Sequence, residues 1–368
     1  MAEKQGFQRL LMRRDQLDCM RLDASDTVPE PGADEIVLRL DPFALTTNNI
    51  TYAAFGAAMK YWDFFPVEAS GWGQMPVWGY ADVVASTLPS IGVSQRYFGY
   101  FPTATHLCVR PGKMNQASFR DDMAHRRGLP DIYNWYQRTD QDPFHAAEIE
   151  PLHAIYRPLF ITAYSLADFL HDKAGFGAQR FLISSASSKT AYATAWCLRQ
   201  LGDRELIGLT SDRNLDFVAE TGLYDQALSY SNLKEINASI PTLYIDVAGN
   251  PDLTRTVHET LGDRLVHDCT VGSAQSQRPP AAPVDLPGPR PSFFFAPDHI
   301  ARRHQDWGVA EFNRRAGQAT QGFYRYVARP VKPLLTITKI DGLAAAEKVI
   351  SAMLTGRVDP REGHLIHP

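Results

Sequence analysis

The sequence predicts an α/β chain in which a doubly wound parallel sheet lies between two stretches of a small β-barrel. Three observations carry that prediction. From about Pro151 onward, short apolar segments alternate with helical patterns, the alternation that builds a parallel sheet with helical crossovers. The first hundred or so residues instead carry short strands parted by Pro and Gly, such as 35–40 and 81–86, as in a barrel. The run 180–191, RFLISSASSKTA, reads as a short apolar strand, a tight turn of small residues and the start of an alanine-rich helix. At such a turn a doubly wound sheet holds an anion against unpaired helix N–H groups.

A chain of 368 residues suits two domains of ordinary size. With 44% hydrophobic residues, 21% charged residues, a net charge of -4 and arginine pairs scattered among acids, it has no basic face for nucleic acid. No apolar run reaches bilayer length, and the first residues lack a signal-peptide core, so a cytoplasmic protein is expected. Cys19, Cys108, Cys197 and Cys269 lie far apart with no C-x-x-C pair, which predicts neither a zinc site nor a disulfide framework.

Taken in order, the parallel strands read as 181–184, 205–210, 226–229, 241–247, 264–269 and 292–295, with helices near 158–171, 191–201, 215–221 and 252–261. The Pro- and Gln-rich stretch 275–291 reads as an exposed loop. A strand at 334–338, a helix at 342–353 and a strand at 364–366 return to the first domain. His299 and His304, five apart, miss the i, i+4 spacing of a metal pair and are expected on the surface.

In the turn, Ser187, Ser188 and Thr190 stand where a G-x-G-x-x-G fingerprint has glycines. A P-loop would require glycine at both Ile183 and Ser188, and neither is present. An ordinary serine-capped turn is the alternative. Ser187, Ser188, Lys189 and Thr190 are the candidate phosphate contacts. At the end of the second strand, Ser211-Asp212-Arg213 offers a hydroxyl and a guanidinium suited to the extra phosphate of NADP. Solvation of Arg213 is the other reading.

The order of these parts resembles the zinc-independent quinone oxidoreductase and enoyl reductase branches of the medium-chain dehydrogenase/reductase superfamily. Residues 38–49, LRLDPFALTTNN, are similar to the barrel strand and turn that face the nicotinamide there, and 161–164 to the threonine-alanine pair opening the cofactor domain. Residues 243–249, LYIDVAG, are similar to the fourth cofactor-domain strand and its Asp-x-x-Gly ending, and 264–272 to the strand and turn beside the nicotinamide. Residues 78–82, WGYAD, replace the Gly-His-Glu stretch of zinc-dependent members, and the four-cysteine lobe is missing.

The resemblance implies a GroES-like barrel at 1–152 with an insertion near 113–150, a Rossmann-type cofactor domain at 153–317, and a return to the barrel at 318–368. It also implies a homodimer, NADPH as cofactor, no metal, and reduction of a carbonyl-conjugated double bond or quinone on a small apolar or aromatic substrate. Asn48, Asn49 and Tyr52 would lie near the hydride, with Tyr52 as proton donor; Thr162 and Gly249 join the cofactor contacts. For each of these first-domain residues there is a plainer role: aromatic packing for Tyr52, local backbone satisfaction for the two asparagines. The insertion suits either a lid or a packing element. A lyase or hydratase working without redox turnover, or a noncatalytic ligand-binding protein, are the rival functions.

Overall fold

The computed structural model describes residues 6–271 and 285–368. The chain divides into two compact units, Met1–Ile155 with Thr336–Pro368, and Tyr156–Leu335.

The first unit begins with β1 (Phe7–Arg13), β2 (Met20–Ser25), β3 (Ile36–Leu45), α1 (Thr47–Ala54), β4 (Trp72–Gly73) and β5 (Pro76–Ser86). It continues with β6 (Arg96–Pro102), β7 (His106–Val109), β8 (Pro111–Gly112), β9 (Ser118–Asp121) and β10 (Trp135–Arg138). Helix α2 (Glu150–Asp172) follows. In the second unit come β11 (Arg180–Ile183), α3 (Lys189–Arg199), β12 (Glu205–Thr210), α4 (Leu215–Thr221), β13 (Gln226–Ser229) and β14 (Thr242–Asp246). That unit ends with α5 (Pro251–Leu261), β15 (Leu265–Thr270), β16 (Ser292–Phe293), α6 (Ala296–Trp307) and α7 (Val309–Val327). The chain then returns to the first unit as β17 (Thr336–Asp341), α8 (Leu343–Leu354) and β18 (Glu362–His367).

The second unit is built on a six-stranded sheet in the order β13-β12-β11-β14-β15-β16, parallel at every pairing. Renumbered from β11, that order is 3-2-1-4-5-6, the doubly wound dinucleotide arrangement with its switch point between the first and fourth strands. Leu182, Ile207, Leu209, Tyr244 and Val257 are among its core residues. The first unit has a three-stranded sheet, β2-β1-β4, and a nine-stranded one in the order β17-β18-β3-β5-β6-β10-β9-β8, with β7 also on β3. Leu38, Phe43, Val77, Phe101, Phe119 and Ile366 lie in its core. The fold class is therefore the expected one, a Rossmann-type sheet with a GroES-like barrel.

Several local expectations change. The stretch after β3 is not a turn between strands but helix α1. Thr46 and Asn49 form a reciprocal capping box at its start, a side-chain device that hydrophobic spacing does not report. Helix α2 begins at Glu150 and carries Pro158 inside it, where the sequence suggested a helical start. Helices α6 and α7 were not anticipated; in α6 polar residues share the buried face, His299 and Arg303 beside Ala296 and Ile300. His299 is thus not a surface residue, since its Nε2 lies 2.6 Å from the Asp168 carboxylate, and His304 packs on the Phe312 ring. Because α7 turns Phe323 onto Trp196 at 5.7 Å, the second unit extends to Leu335. Of the loop expected at 275–291 and the turn at 264–272, residues 272–284 lie outside the described residues.

The stretch 113–150 extends the large sheet. β10 pairs with β6 on one side and β9 on the other, and Phe119 stacks on Tyr136 at 5.1 Å with both rings buried. Arg126, 1% exposed, holds the stretch together. It pairs with the equally buried Asp121 at 3.3 Å, donates to Asn134 and the Tyr136 hydroxyl, and lies over the Phe64 and Phe65 rings.

Candidate functional site

Two groups of residues carry the expected chemistry, one in each unit. In the second unit the serine turn joins β11 to α3 at the carboxyl end of the sheet, beside the switch point. Ser184 ties the turn down: its hydroxyl donates to Asp246 Oδ1 at 2.8 Å and accepts from the Val247 and Ala248 N–H groups at 3.0 Å. The Asp246 carboxylate also accepts from Tyr244, Thr254 and the Gly249 N–H. Burial pushes the Asp246 carboxyl up, against these hydrogen bonds. Gly249, at φ 61, is left-handed backbone that glycine adopts without strain.

Ser187 accepts from Thr210 Oγ1 at 3.3 Å and from Asn214 Nδ2 at 3.0 Å. Ser188 caps α3, accepting from the Ala191 N–H at 3.3 Å. Both hydroxyls act toward the protein as acceptors in these contacts, so each keeps an O–H hydrogen that it can donate. A pyrophosphate is an acceptor only, and α3 presents its N-terminal N–H groups there with Lys189 as first residue. The residues present therefore fit a dinucleotide's phosphates despite the missing glycines. Lys189 and Thr190 are half-buried beside the two serines.

Ser211 precedes a short helical turn, Asp212–Asn214, at the end of β12, where Arg213 is exposed. Asn214 joins that turn to Ser187, so the proposed ribose and pyrophosphate contacts form one connected piece. Thr162 stands apart. It lies within α2, donates its hydroxyl to the Pro158 carbonyl at 3.3 Å, and makes no hydrogen bond to the serine turn.

In the first unit Tyr52 is buried on α1 within a ring cluster. Tyr61, Tyr100 and Tyr133 stand 4.8, 5.4 and 6.2 Å from it between ring centroids. Its phenol oxygen accepts from Trp78 Nε1 at 3.0 Å, and the nearby Asn48 side chain favours its ionised form. Burial outweighs these contacts, so the phenol pKa is raised and the proton is held at neutral pH. The Tyr61 and Tyr133 hydroxyls meet at 3.3 Å, and the Tyr100 hydroxyl is buried without a hydrogen-bond partner among the described residues.

The two asparagines differ. Asn48 is half-buried and favours the ionised form of Tyr52, whereas Asn49 is spent on the framework. Its Oδ1 accepts from the Thr46 N–H at 2.7 Å and its Nδ2 donates to the Pro76 carbonyl at 2.9 Å, anchoring α1 to β5. Sequence reasoning assigned no role to Asn214, Thr210 or the Trp78 hydrogen bond. Asn214 was within reach of it, because it closes the run after β12; the Trp78 contact crosses from α1 to β5 and leaves no local pattern.

Among the described residues no group of three or more His, Cys, Asp or Glu side chains is arranged to hold a metal ion, and no helix is long and apolar enough to cross a membrane. All four cysteines are free thiols, Cys197 and Cys269 buried.

Comparison with solved structures returns chains of the same fold. CurA from Vibrio vulnificus in complex with NADPH is similar over 98% of this chain and 98% of that chain, with a TM-score of 0.60 at 14% identity. The yhdH oxidoreductase from Salmonella enterica in complex with NADP is similar over 98% of this chain and 99% of that one, with a TM-score of 0.55 at 14% identity. CurK enoyl reductase follows at a TM-score of 0.53 and 12% identity, with 98% of each chain covered. At such identities the likeness is one of fold alone. Comparison with curated protein sequences gave no match. Residues 43–359 match the family model of DUF2855, proteins of unknown function, and since that match runs over most of the sequence, the chain belongs to the DUF2855 family.

Proposed function

We propose that the protein is a zinc-independent, NADPH-dependent reductase of a carbonyl-conjugated double bond or quinone. The observation that carries the reading is the serine turn: two hydroxyls and a helix N-terminus at the switch point of a 3-2-1-4-5-6 sheet, with donors to offer an anion. The NADPH and NADP complexes among the similar folds support it. Ser187, Ser188, Lys189 and Thr190 would hold the pyrophosphate, Ser211 and Arg213 the adenosine phosphate, and the Gly249 turn and Thr162 further parts of the cofactor. NADPH, when bound, supplies a hydride.

Tyr52 is the proton donor in this reading. Because its oxygen accepts from Trp78, its hydrogen is left to give, and Trp78 together with the nearby Asn48 side chain would stabilise the phenolate that remains. The surrounding rings suit a flat, apolar substrate. We place the protein in the cytoplasm as a homodimer. Fluorescence titration of the purified protein with NADPH and NADH is the deciding experiment: NADPH binding well ahead of NADH is expected. Binding of neither would overturn the redox reading in favour of a lyase, a hydratase or a noncatalytic ligand-binding protein.

A further inference from the structure

We infer that Tyr224 and Tyr230 clamp the serine turn into the shape that glycines would otherwise give it, and are positioning residues for the cofactor; this rests on the NADPH reading above. The left-handed position in the turn is Ser185, at φ 51, a conformation that glycine visits freely and L side chains rarely. Something must hold it there. Its N–H donates to the Tyr230 hydroxyl at 3.1 Å. At the next residue, the Ala186 N–H donates to the Leu209 carbonyl at 2.9 Å, and the Ala186 carbonyl accepts from the Tyr224 hydroxyl at 3.1 Å. Backbone groups on either side of Ser185 and Ala186 are thus fixed from outside the turn, by residues that flank β13.

The space for this clamp comes from a glycine one strand away. Gly208 pairs with Ile183, the last residue of β11. A Cβ at Gly208 would lie 2.9 Å from the Ala186 Cβ and 3.0 Å from the Tyr224 ring, so only a bare backbone lets that ring reach the turn. Fixing Ser185 and Ala186 in turn sets where Ser187 and Ser188 begin, and hence where their hydroxyls and the α3 N-terminus face.

The test is a pair of variants and their combination, Tyr230→Phe, Ser185→Gly and both together. NADPH affinity is read by fluorescence titration, and backbone protection across 184–190 by hydrogen exchange. Tyr230→Phe should weaken NADPH by roughly tenfold, as one lost hydrogen bond allows, and speed exchange across 184–190. Ser185→Gly should bind as the wild type does. In its background Tyr230→Phe should cost at most about twofold, since coupled residues are non-additive. Equal losses in both backgrounds, an unchanged affinity with only a lower melting temperature, or tighter binding in Tyr230→Phe would each overturn the clamp. If the wild type binds no NADPH, the cofactor reading fails, and exchange alone decides the clamp: faster exchange in Tyr230→Phe upholds it, unchanged exchange overturns it.

Discussion

The serine turn and the Tyr52 cluster reach the same end by opposite means. In the turn, short hydroxyls close to a helix N-terminus accept from their neighbours, Ser187 twice and Ser188 once, and each keeps an O–H to donate. Around Tyr52, long aromatic side chains exclude water, and burial raises the phenol pKa while Trp78 and Asn48 steady its oxygen. The difference teaches that a proton can be kept for donation either by local hydrogen bonding or by desolvation. A polar turn suits a permanent anion such as pyrophosphate. A desolvated phenol suits charge that develops only during reaction.

Five substitutions break or sharpen that contrast. Ser187→Leu should have the largest effect, loss of measurable NADPH binding with the circular dichroism of the fold retained, because a branched apolar chain would replace the hydroxyl between Thr210 and Asn214. Tyr52→Phe keeps the ring and removes the acid. Turnover on an active substrate should fall by roughly 10²–10⁴-fold with NADPH affinity unchanged, and wild-type turnover in this variant would end the proton-donor role. Arg213→Ala should weaken NADPH by about 1.5–3 kcal/mol while leaving NADH nearly untouched, the size of a lost charged hydrogen bond; equal small losses on both cofactors would remove the NADP assignment. The smallest effect separates the adjacent asparagines. Asn49→Ala should lower stability to urea by about 1–2 kcal/mol, since it strips a helix cap and a bond to β5. Asn48→Ala should leave stability alone and slow turnover.

The same contrast explains what could be read from the sequence. The parallel strands and the serine turn were legible because their determinants are local: apolar runs such as 180–183 and 205–210, and a cluster of small residues before an alanine-rich helix. The Tyr52 site is assembled from α1, β5, β6 and the stretch before β10, with partners as distant as Trp78, Tyr100 and Tyr133. No spacing rule connects them. Helix α1 itself was missed because its start is signalled by the Thr46 and Asn49 side chains rather than by an apolar stripe. His299 was misjudged because its half-buried partner, Asp168, is 131 residues away.

The position of β18 carries a consequence for synthesis. This closing strand of the chain lies inside the large sheet, parallel to β17 and antiparallel to β3, with His364 opposite Leu45 just ahead of α1. The polypeptide that bears Tyr52 therefore waits, through the translation of the whole parallel-sheet unit, for the strand that completes its own sheet. The hydrogen bonds described for Ser184 to Ser188 lie within residues 184–254, so this part of the turn can form while the ribosome is still working. A nascent chain halted before β18 would carry the serine turn complete but leave β3 open on one edge over Phe43–Leu45, so a ribosome stalled in the last turn of α8 would expose that edge just ahead of the helix that bears Tyr52.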